Sequence, residues 1–178
     1  MLPSNEPAPV VALVDVTDAV LERLLAVALH EADADEVTPP LGTAAGWNTE
    51  RISWFRDFHR AAAAGLDGPA RQKTWAITAD GELAGSIRLL RVPAGRAGTF
   101  PQDGGTLETG IWLGRSFRGR GIGREALRLV KAEAAASGAD LLKAETTPGN
   151  LAAQALLRSA GAELAADARR VTARFMLG

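Results

Sequence analysis

The chain has 178 residues, of which 47% are hydrophobic and 23% charged, the usual balance of a soluble globular protein. Its formal net charge of -1 excludes a global basic field that would hold nucleic acid or an anionic membrane. Because it has no cysteine and only two histidines, it excludes disulfides, thiolate nucleophiles, Cys-ligated metals and a His-rich metal site.

The N-terminus carries neither of the features of a secretory signal. Met1 to Val10 contain no basic residue and no long apolar run. No stretch of about 18 apolar residues predicts a membrane-spanning helix. We therefore expect one domain over residues 1–178, located in the cytoplasm.

The periodicity of apolar residues predicts an α/β domain with a mixed central sheet and about four helices. A β-branched run predicts a first strand over Val10–Val16, and a helical pattern begins at Asp18. Asn48 is a candidate N-cap for a second helix over Thr49–Ala64. The later elements are strands over Thr74–Thr78, Leu83–Val92 and Leu107–Leu113, a helix over Ile122–Ser137, a strand over Leu141–Thr146, a helix over Leu151–Ser159, and a strand over Val171–Leu177 that closes in a hairpin. Two connections have recognisable turn residues, a hairpin turn at Asp80-Gly81 and an exposed Gly-rich loop over Gly95–Gly105.

The segment from Arg118 to Gly123, Arg-Gly-Arg-Gly-Ile-Gly, joins a predicted strand to a predicted helix. Glycines let the backbone approach a ligand closely, and a helix N-terminus offers unpaired N–H groups and a positive dipole end. Arg115 and Arg124 add further positive charge. The pattern favours a diphosphate. A Walker A loop is excluded because no Lys-Ser or Lys-Thr pair follows, and a dinucleotide fingerprint fits only in its Gly/Ala variant.

This segment resembles the acyl-CoA loop of the GNAT superfamily of N-acetyltransferases, with Arg118, Gly121 and Gly123 at the three fixed positions of Arg-x-x-Gly-x-Gly. A second block, from Asn150 through Ala153 to Gly161, is similar to a downstream pattern of that family. Glu108-Thr-Gly-Ile-Trp-Leu further resembles Rim-type ribosomal-protein acetyltransferases and their antibiotic-modifying relatives. The resemblance covers residues 83–165.

The resemblance implies that acetyl-CoA lies where two parallel strands separate, those ending near Leu113 and Thr146. It implies direct attack of a primary amine on the thioester, and no metal. Relatives are often dimers, so it also implies a homodimer. The residues that it places on the cofactor are Ile111, Trp112, Leu113, Arg118, Gly119, Arg120, Gly121, Ile122, Gly123, Arg124, Asn150, Ala153 and Leu157.

An amine that is protonated at neutral pH must lose a proton before it attacks. Glu108, on the strand leading to the loop, is the first candidate base, and Glu145 on the next strand is the second. For each, a salt bridge at a strand end is the alternative. Many relatives have Tyr at the position of Leu157 and Ser at that of Ala153, so both usual proton donors are missing.

Three other features bear on the acceptor. The acidic run Glu31–Glu36 would attract a cation, or is simply a solvated helix end. Trp54, Phe55 and Phe58 would wall a substrate pocket or pack in the core. His59 is expected to be solvent-facing or packed.

Three functions remain open from the sequence. The first is acetylation of a small cationic amine of the aminoglycoside type. The second is acetylation of a protein N-terminus, such as that of a ribosomal protein. The third is non-catalytic binding of acyl-CoA.

Overall fold

The computed structural model describes residues 7–93 and 105–178, within which seven strands form one sheet. The strands are β1 Val11–Asp15, β2 Gln72–Ala79, β3 Glu82–Arg91, β4 Thr106–Leu113, β5 Leu141–Thr146, β6 Glu163–Ala166 and β7 Val171–Met176. The helices are α1 Asp18–Glu31, α2 Ala34–Val37, α3 Thr49–Ala62, α4 Ile122–Ala136 and α5 Leu151–Ser159, with a 3-10 turn at Arg115–Phe117. The predicted α/β fold with a mixed sheet is confirmed. The predicted loop over Gly95–Gly105 lies outside the described residues except for Gly105.

The sheet has the strand order β1-β2-β3-β4-β5-β7-β6. All neighbouring strands are antiparallel except β4 and β5, which are parallel. The predicted turn between β2 and β3 is confirmed, because Asp80 and Gly81 both have positive φ, 50° and 83°, as a two-residue hairpin turn of type I′ requires. The predicted closing hairpin is formed by β6 and β7, which pair from Glu163↔Arg174 to Ala166↔Val171.

Helices cover both faces of the sheet. On one face, Ile122, Leu127 and Val130 of α4 are buried against strand residues that include Leu107 and Leu142. On the other face, buried α1 leucines and Phe55 of α3 pack against the sheet. Strand side chains alternate between the two faces, so β1 to β4 contribute to both layers. Each buried leucine or phenylalanine stabilises the fold by roughly 2 kcal/mol through its removal from water.

Two local differences from the predictions have simple causes. Helix α3 ends at Ala62 rather than Ala64, and the positive φ of Gly65 (80°) turns the chain away. The second difference is the single turn α2, which overlaps the acidic run and is not among the predicted helices. A capping box stabilises this turn, since Asp33 and Glu36 each accept a hydrogen bond from the other's backbone N–H.

Candidate active site

Strands β4 and β5 pair only at their beginnings. Three register pairs join them, Thr106↔Leu141, Leu107↔Leu142 and Glu108↔Lys143. Beyond these, β4 continues to Leu113 along β3 only, and β5 continues along β7 only. The two strands therefore diverge after Glu108. From Thr109 to Leu113, the edge of β4 that faces away from β3 has backbone groups free of β5, which can hydrogen-bond an extended ligand.

The N-terminus of α4 opens beside this gap without a side-chain cap. Gly121 is the N-cap, with φ of 80°, and its helix makes no side-chain capping hydrogen bond. The amides of Ile122, Gly123 and Arg124 therefore lack both helical and side-chain acceptors. The other helices of nine or more residues are capped by the side chains of Thr17, Asn48 and Asn150. Helix α4 thus presents unpaired amides and the positive end of its dipole, which favour an anion, whereas the other three helices have a side-chain oxygen there.

The glycines of this loop have two different roles. Gly119 and Gly121 have positive φ, and a Cβ built on either would meet nothing within 4 Å. They leave open space along the loop. Gly123 is packed instead, since a Cβ there would lie 3.2 Å from Leu156 Cδ2 and 3.5 Å from Leu113 Cδ1. Its missing side chain lets α4 begin close to α5 and to the end of β4.

The loop arginines differ in what they contact. Arg118 donates from Nε to the Leu113 carbonyl at 3.0 Å and from Nη2 to Glu36 at 2.9 Å, so its side chain ties the end of β4 to α2. Arg120 lies over the Phe117 ring, 5.8 Å from its centroid. Neither Arg120 nor Arg124 makes a salt bridge with any described residue. Both are exposed, and their charges remain available to an anion.

Thr109 is the first residue of β4 beyond the pairing with β5. It is 3% exposed, and its hydroxyl is buried with no hydrogen-bond partner in the described part of the chain. A buried hydroxyl without a partner is costly, so Thr109 is a candidate to hydrogen-bond a bound ligand. Sequence reasoning missed Thr109, although a hydroxyl-bearing residue in an apolar strand was available as a signal.

The two candidate bases both make ion pairs. Glu108 Oε1 accepts from Arg88 Nη2 at 3.1 Å, and the two side chains are 33% and 30% exposed. A Cβ on Gly110 would lie 3.0 Å from Arg88 Nε, so the glycine makes room for the guanidinium. Glu145 is more exposed and lies 3.3 Å from Arg170 Nη1. Sequence reasoning missed Arg88, whose signal was a charged residue inside the otherwise apolar run of β3.

The downstream block folds as α5 beside α4. Asn150 caps α5, since its side chain accepts from the Ala153 amide at 3.0 Å. Ala153 is half-buried, whereas Leu157 is 6% exposed and belongs to the core under α4. Gln154 was not singled out in the sequence. Its side chain donates to the carbonyls of Thr147 and Pro148, which fixes the turn between β5 and α5.

A cavity of about 490 Å³ lies on the face of the sheet opposite to α4, between α3 and the strands β2 to β4. We call it the aromatic cavity; its walls include Trp54, Phe58, His59, Arg88, Gly110 and Trp112. The rings of Trp54 and Phe58 stack, with centroids 4.7 Å apart. Phe55 also borders the cavity but is buried in the core, 6.5 Å from the Trp112 ring. Packing in the core is therefore confirmed for Phe55, whereas Trp54 and Phe58 line a cavity whose use by a substrate stays a prediction.

His59 is a buried member of the cavity wall. It is 3% exposed, and its Nδ1 lies 2.9 Å from Thr74 Oγ1. Burial lowers its pKa to about 4, so the ring is neutral at pH 7. Of the two environments expected for His59, the packed one is confirmed.

The acidic run is largely occupied by neighbouring groups. Glu36 bonds Arg118, Asp33 pairs with Arg115, and Asp35 pairs with Arg51 at 2.8 Å. Hydrogen bonds from Ser116 hold the pKa of Glu31 below its ordinary value. These contacts fasten α1 and α2 to residues 115–118 and to α3.

Comparison with known proteins identifies the fold. Residues 26–162 match the sequence profile of the acetyltransferase (GNAT) family. The chain belongs to the GNAT acetyltransferase family. The separated parallel strands and the open N-terminus of α4 are thus features of a GNAT domain in this chain.

Solved GNAT structures superpose over nearly the whole domain. The GNAT domain of S. lividans PAT is 21% identical, with a TM-score of 0.69, and covers 99% of this chain and 100% of that one. Mycobacterium smegmatis RimJ, solved with CoA-disulfide, is 19% identical, with a TM-score of 0.72 and coverage of 96% and 83%. The microcin C7 self immunity acetyltransferase MccE, solved with acetyl-CoA and AMP, is 15% identical, with a TM-score of 0.67 and coverage of 93% and 92%. At these identities the likeness establishes the fold.

No curated protein matches the chain significantly in sequence. Within residues 7–93 and 105–178, no helix has the length and apolar character needed to cross a membrane. In the same residues, no group of three or more His, Asp or Glu side chains is placed to hold a metal ion.

Proposed function

We propose that this GNAT domain transfers an acetyl group from acetyl-CoA to a primary amine by direct attack. The observation that carries the proposal is the gap that opens between β4 and β5 after Glu108, next to the uncapped N-terminus of α4. Acetyl-CoA has a narrow extended arm that fits the gap between β4 and β5. It also has an anionic pyrophosphate that fits the uncapped N-terminus of α4.

The residues present fit acetyl-CoA. The free β4 edge from Ile111 to Leu113, with Trp112 between them, would pair with the pantetheine arm. The amides from Ile122 to Arg124, with the charges of Arg120 and Arg124, would bind the pyrophosphate. Gly119 and Gly121 leave the space that a side chain would fill. Arg118 would hold this loop in place through Leu113 and Glu36. The contacts of Asn150, Ala153 and Leu157 with the arm stay predictions.

In the proposed step, the amine nitrogen attacks the thioester carbonyl carbon. A C–N bond forms, the C–S bond breaks, and the thiolate leaves. A β4 backbone N–H near Leu113 would stabilise the oxyanion, and holding both reactants in place supplies much of the rate gain. A thiol, with a pKa of about 8.5, is a tolerable leaving group without a dedicated proton donor.

Glu108 is the proposed base and Glu145 the second candidate. Glu108 lies on β4 at the point where the gap begins, and only its Oε1 is engaged by Arg88. Its other carboxylate oxygen can accept a proton, directly or through a water molecule. Glu145 is more exposed and lies on the far side of the gap.

The acceptor is a small primary amine in this proposal. The acidic run in the sequence suggests a cationic, aminoglycoside-type acceptor. In the structure, however, Asp33, Asp35 and Glu36 of that run are paired with arginines. A protein N-terminus is the alternative acceptor, as the resemblance of Glu108-Thr-Gly-Ile-Trp-Leu to Rim-type ribosomal-protein acetyltransferases implies. Cytoplasmic location, a homodimer and the absence of nucleic-acid or membrane partners stay predictions from the sequence.

The test of the cofactor site is calorimetric binding of acetyl-CoA to the wild type, Gly121→Glu and Gly138→Glu. A glutamate at Gly121 places a negative charge at the proposed pyrophosphate site, so we expect binding to be abolished. Gly138, at the other end of α4, has a similar φ of 88° and equally open surroundings. The Gly138→Glu control introduces the same charge and backbone strain but should bind normally.

Turnover is then followed as thiol release with a panel of small amines, aminoglycosides and N-terminal peptides. Unchanged acetyl-CoA affinity in Gly121→Glu would refute the loop assignment. Tight binding without thiol release on any panel member would favour a non-catalytic acyl-CoA-binding domain.

A further inference from the structure

The aromatic cavity borders the same strand as the cofactor gap. Gly110, Ile111 and Trp112 of β4 line the cavity, and the edge of this segment that faces away from β3 is free of β5. A molecule in the cavity is therefore separated from an arm in the gap by the thickness of one strand. The volume of the cavity, about 490 Å³, lies within the roughly 300–1,000 Å³ typical of small-molecule sites.

The polar side chains of the cavity wall are largely occupied by other groups of the protein. Ser86 donates to the Trp75 carbonyl at 2.9 Å, and Thr38 donates to the Ala34 carbonyl at 3.1 Å. His59 bonds Thr74, as described above. Of the remaining polar groups of the wall, the Gln72 side chain and the indole N–H groups of Trp54 and Trp112 make no hydrogen bond to another described residue. A ligand rich in hydroxyl groups would lose its water here and find few partners in return.

The charges of the wall are also compensated. Glu36 is bonded to Arg118 at 2.9 Å, and Arg88 is bonded to Glu108 at 3.1 Å. The described wall therefore has no unpaired carboxylate to balance a polycation. An aminoglycoside-type ligand would bring several positive charges and many hydroxyls to a wall that compensates neither.

What the wall offers is flat apolar surface. Trp54 and Phe58 are half-buried and stack at an interplanar angle of 17° on one side of helix α3. Trp112 is half-buried on the facing strand. Aromatic faces of this kind bind planar, apolar groups through contact area and ring stacking.

We propose that the acetyl acceptor is a primary amine carried on a flat aromatic or apolar body, which lies in the aromatic cavity against Trp54, Phe58 and Trp112. This inference rests on the proposed acetyl transfer and specifies its acceptor. Stacking on Trp54 would favour an acceptor with an aromatic or apolar body over a polyhydroxylated acceptor.

The experiment compares 2-phenylethylamine and tryptamine with kanamycin and a short N-terminal peptide. Binding of each amine is measured by calorimetry, and kcat/KM is measured by thiol release from acetyl-CoA. We expect the two aromatic amines to bind and to have kcat/KM values at least tenfold above that of kanamycin, roughly the discrimination that an apolar pocket gives. Tighter binding or faster turnover of kanamycin or the peptide would overturn the inference.

Substitutions at Trp54 test the wall itself. Trp54→Ala should weaken aromatic-amine binding roughly tenfold, with acetyl-CoA affinity unchanged, and Trp54→Phe should restore most of it. Trp47→Phe is the matched control, because Trp47 lies in the same helical layer outside the cavity wall, with its Nε1 bonded to the Ala32 carbonyl. Equal aromatic-amine affinities in the wild type and Trp54→Ala would refute the role of Trp54.

The two proposals fail in different ways. If aromatic amines bind in a Trp54-dependent manner while acetyl-CoA does not bind, the acetyl-transfer proposal falls, and the cavity is a binding site for aromatic amines that are not acetyl acceptors. If acetyl-CoA binds and thiol is released only with polyhydroxylated amines, the transfer proposal stands and the cavity inference falls.

Discussion

The carboxylate of Glu108 and the guanidinium of Arg88 form an ion pair at the start of the gap between β4 and β5. Arg88 also lines the aromatic cavity. Both side chains of the pair are about one-third exposed, so the pair contributes little to stability. Its effect is on position, because it holds one carboxylate oxygen and leaves the other free.

Removing that carboxylate tests its role. Glu108→Gln should lower kcat at pH 7 by roughly 100-fold, because a positioned base contributes about that much or more. The dissociation constant of acetyl-CoA should stay within about twofold of that of the wild type. Single-turnover thiol release and calorimetry measure the two quantities.

Glu145→Gln is the matched comparison, since Glu145 is also a strand carboxylate paired with an arginine. We expect it to change kcat less than Glu108→Gln does. Equal losses of turnover and of cofactor affinity in Glu108→Gln would remove Glu108 from the role of base.

Helix α5 illustrates how far local sequence could predict an element and its chemistry. Asn150 precedes the predicted helix over Leu151–Ser159, and the structure shows that its side chain caps α5, 3.0 Å from the Ala153 amide. The boundaries of α5 follow from Asn150 and Gly161, which are local signals. The short turn α2 was missed because apolar periodicity cannot reveal a helix of four residues.

The capping role of Asn150 predicts a stability change. Asn150→Ala should lower the free energy of unfolding by about 1 kcal/mol, because the first turn of α5 loses its acceptor, and Asn150→Asp should retain most of it. Urea denaturation measures both. If acetyl-CoA affinity also falls in Asn150→Asp, the residue contacts the cofactor in addition to capping.

Across the whole sheet, the alternation of apolar residues and the turn residues predicted the order of strands along the chain but not which strands pair. The parallel pair β4–β5, its early end at Glu108↔Lys143, and the resulting gap depend on contacts between residues distant in sequence. The segment Arg118–Gly123 could be singled out because its glycines and arginines are consecutive, and its binding of a pyrophosphate stays a prediction. The Arg88–Glu108 pair and the aromatic cavity could not be predicted, since their residues come from separate strands and α3.

The burial of His59 makes stability of the whole fold depend on pH. Its pKa falls from the ordinary 6.5 to about 4 on folding, so between these values the unfolded chain binds a proton that the folded one excludes. Stability is thus fully present above pH 6.5 and is lost as the pH falls toward 4. The wild type should lose roughly 2 kcal/mol more than His59→Gln between pH 7 and about pH 4.5.

Urea unfolding at the two pH values measures this difference. His30→Gln is the comparison variant, because it makes the same substitution at an exposed position on α1. Identical pH dependence in the wild type and His59→Gln would contradict the proposed neutral state of His59.

The cavity wall also gives the protein an optical reporter. The chain has four tryptophans and no tyrosine, so its near-ultraviolet emission comes from indole groups. Trp54 and Trp112 face the cavity, whereas Trp47 and Trp75 lie outside its wall. Occupancy of the cavity by a small molecule changes the polarity around two emitters of four, so the unlabelled protein should signal ligand arrival by a shift in its fluorescence spectrum.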